Sequence, residues 1–116
     1  MTHTWAHRIF GLEHEPLITN QELIKLISKK ILHYHPISHR IIQWDINRAV
    51  NMDVFVLNIL CDVPEMSREL YCTVIIKTFD LVSQKSIGDA VEVIFSKIDR
   101  AERNLNYIIE QHIPSE

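Results

Sequence analysis

Three adjacent strand-like segments, joined by short polar breaks, constrain the fold of this chain more than any other feature. Residues 41–48 and 70–77 alternate apolar with other side chains, and residues 53–63 are apolar on both faces except at Asn58 and, toward the two ends, at Asp53 and Asp62. The breaks at 51–53 and 64–68 are too short for the crossover helix that parallel strands need. The sequence therefore predicts an antiparallel meander with the second segment at its centre.

Helical spacing predicts one helix before the meander and one after it. Residues 19–22 form a capping box, with the Thr19 hydroxyl as the cap, and apolar residues then recur at helical spacing up to Tyr34. The helix should end before Pro36, because proline disfavours helical geometry in the preceding residue. Residues 86–89 resemble a second cap. The apolar stripe that follows comprises Ile87, Ala90, Val91, Ile94, Phe95, Ile98, Ala101, Leu105 and Ile108.

A further strand is predicted at residues 3–10, which alternate in the strand pattern and end at Gly11. A right-handed strand–helix unit followed by a meander places both helices on one face of the sheet. We therefore predict a single α+β domain over residues 1–116, in the order β-α-β-β-β-α. In this fold the two helices pack on one face of a four-stranded sheet.

Composition narrows the possible functions. The chain has 116 residues, of which 47% are hydrophobic, so it can bury a core without disulfides or metals. A formal net charge of −3 excludes a globally basic nucleic-acid binder but permits a local basic stripe. Cys61 and Cys72 lie in apolar runs and are predicted to be buried free thiols. No apolar run approaches the ~20 residues of a membrane span or the core of a signal peptide, so a soluble cytoplasmic protein is expected.

Patterns that indicate catalysis or metal binding are weak. The two glycines stand apart, so no nucleotide-binding loop is formed. His33 and His35 diverge around a helix, and Pro36 separates them from His39, so exposed or capping histidines are favoured over metal ligands. We predict a non-enzymatic binding protein with no metal, cofactor or small-molecule substrate. Four aspartates at predicted strand ends or edges leave a catalytic pair open: Asp45, Asp53, Asp62 and Asp80.

Two rows of basic residues are predicted, one on each helix. The candidate RNA-binding residues are Lys25, Lys29, Lys30 and His33 on the first helix, and Lys97, Arg100 and Arg103 on the last. If the helices lie side by side, the two rows merge into one surface that neutralises RNA phosphates. The alternative is a solvated helix face with internal ion pairs, such as Asp99 with Arg103.

Three stretches carry a family resemblance. They are residues 9–11 followed by 17–23, residues 34–36 leading into 41–48, and residues 89–100. Together with the predicted element order, they resemble the short hibernation-promoting and ribosome-associated inhibitor factors of bacteria. The resemblance covers nearly the whole chain.

The resemblance implies a stress-response protein that binds the decoding region of the small ribosomal subunit. There it would occlude the path of messenger and transfer RNA, and so inhibit translation or protect idle ribosomes. The chain departs from the family in a longer loop between 11 and 17, and after Arg103, where residues 104–109 replace a lysine-rich end. The positions that match the family's ribosomal RNA contacts are Lys25, Lys29, Lys30, Lys97 and Arg100.

Other functions stay open at this point. The acidic balance favours a protein-binding adaptor, immunity protein or secretion chaperone, with Tyr107, Ile108 and Ile109 as an exposed patch for a protein partner. A double-stranded RNA-binding domain shares the α-β-β-β-α order. Such a domain needs a lysine cluster at the start of its last helix, and here only Lys85 is near that position. Salt dependence separates RNA binding from apolar protein contacts.

Overall fold

Residues 20–112, which the computed structural model describes, form an α+β fold with a three-stranded antiparallel sheet. The elements in chain order are α1 (Gln21–Tyr34), β1 (Ile41–Ala49), β2 (Val54–Val63), β3 (Arg68–Lys77), α2 (Thr78–Val82) and α3 (Ile87–His112). Short 3₁₀ turns at Pro36–Arg40, Val50–Met52 and Pro64–Met66 precede β1 and connect the strands. The predicted strand at 3–10 lies outside the described residues.

The predicted meander is confirmed. β2 lies between β1 and β3, and Leu57 at its middle faces Ile46 on one side and Val74 on the other. Phe55, Leu57 and Ile59 are fully buried on one face of β2. The residues between them on the opposite face are only partly covered by the described part of the chain. The sheet in residues 20–112 therefore has one core face and one open face.

The first predicted helix is confirmed, with a correction at its start. The N-cap is Asn20, whose side-chain oxygen accepts a hydrogen bond from the Leu23 amide at 3.0 Å. The prediction that Thr19 caps the helix was therefore wrong by one residue, because an asparagine side chain is an equally good cap acceptor. The helix ends at Tyr34, before Pro36, as predicted.

The last helix begins at the predicted cap, where Ser86 Oγ accepts a hydrogen bond from the amide of Asp89 at 3.1 Å. Its apolar stripe is confirmed except at Phe95 and near the end of the helix. Phe95 is 41% and Ile108 48% exposed, whereas Ile109 is only 5% exposed. At 3.6 residues per turn the inward face drifts, and beyond Leu105 it falls on position 109 rather than 108.

The core joins both long helices to the same face of the sheet. Ile24 of α1, Ile94 and Ile98 of α3, and the buried face of β2 belong to one hydrophobic cluster. The short helix α2 was not predicted, since its residues 78–82 follow β3 without a break; Leu81 anchors it in the core. No helix among the described residues has the length and apolar character needed to cross a bilayer.

Candidate RNA-binding surface

The first basic row lies on the solvent side of α1. Lys25, Lys29, Lys30 and His33 are all exposed, while the buried positions of the helix face the sheet. Within residues 20–112, no carboxylate forms an ion pair with Lys25, Lys29 or Lys30. Their positive charge is therefore presented to solvent without neutralisation from the described part of the chain.

A groove of about 710 Å³ runs beside this row, between α1 and β1. Lys29, Lys30 and His33 line its rim, and Trp44 contributes to its apolar floor. Tyr34, also at the rim, is 83% exposed and packs edge-on against the His33 ring at 4.8 Å. Cationic groups beside an exposed aromatic ring can hold a phosphate and stack a base. The sequence pattern placed Tyr34 in the apolar stripe of the helix, so this ring was missed as a candidate site residue.

The second basic row, on α3, is largely engaged in ion pairs. Lys97 Nζ lies 3.3 Å from Asp80 Oδ2 of α2. Arg103 Nη1 lies 2.6 Å from Asp99 Oδ2. This is the internal ion pair that the sequence analysis gave as the alternative to an RNA-binding role. Arg100 is exposed and has no ion-pair partner among the described residues. Of this row, only Arg100 presents an unpaired charge within residues 20–112.

The structure does not bring the two rows together. His35, after the end of α1, contacts Phe95 and Asp99, so these two residues mark the side of α3 that faces α1. Lys97 is two residues away from each of them in sequence, so its side chain points about 200° away around the helix. Its ion pair is with Asp80 of α2, the short helix that follows β3. The groove beside Lys29 instead opens toward β1, at the other edge of the described sheet. Lys97 and the α1 row therefore lie on opposite flanks of the helical layer, whereas Arg103 pairs with Asp99 on the side of α3 that faces α1. Because its lysines have no ion-pair partner within residues 20–112, α1 carries the stronger candidate site.

His35 belongs to a group of side chains among residues 20–112 that could hold a metal ion. It is almost completely buried, its Nδ1 accepts a hydrogen bond from the Ile37 amide at 3.0 Å, and its Nε2 lies 3.5 Å from Asp99 Oδ1. With Glu102, the three side chains offer ligand atoms within 4.8 Å of one another. Because Nδ1 uses its lone pair to accept, a neutral ring carries its proton on Nε2. A metal at Nε2 would have to displace that proton, so the geometry favours a buried cap that faces a carboxylate.

Two other sequence predictions fall outside the basic rows. Cys61 and Cys72 are confirmed as buried free thiols, with 3.9 Å between their sulfur atoms. The hydrogen bond with Cys72, and then burial, raise the pKa of the Cys61 thiol. His39 is exposed, as predicted, and its Nδ1 contacts the Pro36 carbonyl.

The predicted protein-binding patch at the end of α3 is only partly exposed. Tyr107 and Ile108 are accessible, but Ile109 belongs to the core, so it cannot form part of a surface patch as predicted. Ile108 lies at one end of a groove of about 380 Å³ between α3 and β3, which Leu70 also lines. Two apolar side chains therefore remain available for a partner at this end of the helix.

Comparison with known proteins adds no assignment: no family model, curated protein or solved structure matches the chain. The resemblance to hibernation factors rests on the sequence stretches described above.

Proposed function

We propose that this protein binds RNA through α1, and that its target is the ribosomal RNA of the small subunit. The observation that carries the proposal is the exposed set of Lys25, Lys29 and Lys30, which has no ion-pair partner within residues 20–112. Lysines that meet phosphates release counterions, and this release drives binding without any base contact. His33 and Tyr34 add a donor and a stacking surface beside the lysines.

The proposed mechanism is steric occlusion in the decoding region, without catalysis and without a cofactor. A domain held there by lysine–phosphate contacts blocks the path of messenger and transfer RNA, which inhibits translation or protects an idle ribosome in the cytoplasm. Arg100 can add a contact from the other flank. Lys97 and Arg103 should contribute less, because each must first give up an ion pair.

The fold that goes with this proposal has a fourth strand. In the described residues, β1 pairs with β2 and has no neighbour on its other edge. Leu26, Ile41 and Trp44 line the groove beside that edge with apolar surface. We propose that residues 3–10 pair there in the predicted right-handed β-α-β unit, and that they fill the apolar floor while the lysines stay at the rim.

Co-sedimentation with purified small subunits through a sucrose cushion, at rising salt, tests the RNA proposal. Three lysine–phosphate contacts give a plot of log affinity against log salt with a slope of about −2 to −3. Lys25→Glu with Lys29→Glu should abolish binding at physiological salt. The matched control is Lys85→Glu with Arg68→Glu, which makes the same charge change at two exposed residues outside both rows and should retain binding. Equal affinity of the two double variants would refute the proposal.

A protein-binding module is a second candidate, favoured by the exposure of Tyr107 and Ile108 at the end of α3. Apolar contacts at this site would be nearly insensitive to salt. Binding to ribosomal particles that persists in high salt, and that is lost in Ile108→Ser but kept in Lys25→Glu with Lys29→Glu, would support this candidate and count against RNA binding.

A further inference from the structure

The outer edge of β3 is a long strand edge without a neighbour in the described part of the chain. β3 spans Arg68–Lys77 and pairs with β2 on its inner side. Tyr71 and Ile75 on its open face are 64% and 44% exposed. Natural proteins usually shorten, bend or cover such an edge, because its unpaired backbone groups recruit another strand.

Two charged residues on the open face of β3 lack a partner of opposite charge. Glu69 lies opposite Asp62 of β2, which places two carboxylates side by side across the strands. Lys77, near the other end of the strand, lies opposite Val54. Neither Glu69 nor Lys77 forms an ion pair with any residue from 20 to 112. Both side chains share the open face, since they are an even number of residues apart.

The opposite charges of Glu69 and Lys77 become neighbours if the β3 strand of a second copy pairs with that of the first. We propose that two copies of this protein associate edge to edge through antiparallel β3 strands, about a two-fold axis at Thr73. Glu69 of each copy then lies opposite Lys77 of the other. Tyr71 lies opposite Ile75 on the same open face, and both gain cross-strand packing. The sheets of the two copies become one continuous sheet, so neither β3 edge stays open.

The side-chain alternation leaves few other arrangements. A two-fold axis perpendicular to the sheet keeps the core face of each copy on the same side, so opposite residues must share the same parity. An axis at Cys72 would place Arg68 opposite Ile76 and leave Lys77 outside the pairing. An axis at Val74 would leave Glu69 outside it. Pairing about Thr73 is the arrangement that matches both charged residues.

One interaction opposes the pairing and sets the conditions for the test. Arg100 and Lys97 line a groove together with Thr73, so the pairing would bring these cations of the two copies toward one another near the axis. Exposed like charges are screened at physiological ionic strength, where the Debye length is ~8 Å. The association should therefore be measured in about 0.15 M salt.

Sedimentation equilibrium of the full chain tests the association, and a charge swap tests its geometry. The wild type should show a dimer of the 13.6 kDa chain. Glu69→Lys places lysines opposite each other and should raise the dissociation constant about tenfold or more. Lys77→Glu should do the same, and the double variant E69K/K77E should restore the wild-type value. A wild type that stays monomeric at all concentrations, or a double variant no better than the single ones, would overturn the proposal.

Crosslinking locates the axis independently. In a background without Cys61 and Cys72, Thr73→Cys places two thiols opposite each other, and diamide should oxidise them to an intermolecular disulfide while it is reduced to its hydrazine. Ile75→Cys is the control, because that residue faces Tyr71 rather than its own copy. Far-ultraviolet circular dichroism verifies that both variants are folded. Equal crosslinking of the two variants would contradict an axis at Thr73.

Discussion

Replacement of His35 by alanine tests how strongly this side chain stabilises the segment that follows α1. The imidazole caps the 3₁₀ turn Pro36–Arg40, since its Nδ1 accepts the hydrogen bond of the Ile37 amide at 3.0 Å. The ring is almost fully buried and lies 4.9 Å from the ring of Phe95 on α3. One side chain therefore connects the end of α1, the turn that leads into β1, and the middle of α3.

The expected loss combines two effects. Without the ring, the buried Ile37 amide loses its acceptor, which costs roughly 1–3 kcal/mol. The cavity beside Phe95 adds a packing loss, and large-to-small core substitutions cost about 2–5 kcal/mol in all. We expect His35→Ala to lower the free energy of unfolding by about 3–5 kcal/mol. That is a large share of the ~5–15 kcal/mol that stabilises a typical domain.

Urea denaturation, followed by circular dichroism at neutral pH, measures this loss. His35→Asn is the matched control, because asparagine is also a strong N-cap acceptor and should recover about 1 kcal/mol relative to alanine. Asp99→Asn tests the Nε2 side of the ring and should cost less than about 1 kcal/mol, since the carboxylate is partly exposed. A loss below about 1 kcal/mol for His35→Ala would refute the reasoning.

Three further predictions concern stability. Two hydrogen bonds from Arg40 lower the pKa of Glu65 from 4.5 to about 2, so the stability from this pair is complete above pH 4.5 and is lost as the pH falls toward 2. Glu65→Gln should flatten that acid dependence in unfolding measured between these pH values. Ile98→Ala, at a fully buried position, should lower the free energy of unfolding by about 2–5 kcal/mol in urea denaturation. A loss below about 1 kcal/mol would contradict the assignment of Ile98 to the core. Asn20→Ala should cost about 1 kcal/mol and Asn20→Asp much less, which thermal unfolding can resolve.

The meander was predictable because its signal is local and repeated. Residues 41–48, 53–63 and 70–77 each carry their own alternation, and the short breaks between them permit only antiparallel pairing. The pattern failed at Ile42, which is exposed although the alternation placed it on the face of Ile46. A register irregularity between Ile41 and Gln43 rotates this residue outward. Such a bulge arises from pairing with the neighbouring strand, so the strand's own sequence does not show it.

The candidate site was predictable residue by residue but not as a surface. Spacing alone indicates that Lys25 and Lys29 share the outer side of a helix. The relative placement of two helices depends on core packing, and no spacing rule indicates that Lys97 lies away from α1. The ion pair of Lys97 with Asp80 depends on α2, which was not predicted. Burial of His35 was likewise missed, because its cover comes from Phe95, which is distant in sequence.

The two proposed surfaces occupy opposite edges of the sheet, and this separation decides how they interact. The lysines of α1 lie beside β1, whereas the proposed dimer forms at β3, with β2 between them. Pairing at β3 therefore leaves the α1 lysines of both copies exposed, and the dimer would carry two of the proposed RNA-binding faces. A second contact to the same RNA would then be intramolecular, and its gain would depend on whether two target sites lie within reach. The proposed target, the decoding region, occurs once per ribosome, so the dimer should gain little there. The weakened-dimer variants Glu69→Lys and Lys77→Glu, which change the net charge in opposite directions, should therefore both bind single ribosomes as the wild type does. Weaker binding of both variants to isolated small subunits would show that the β3 edge takes part in ribosome recognition.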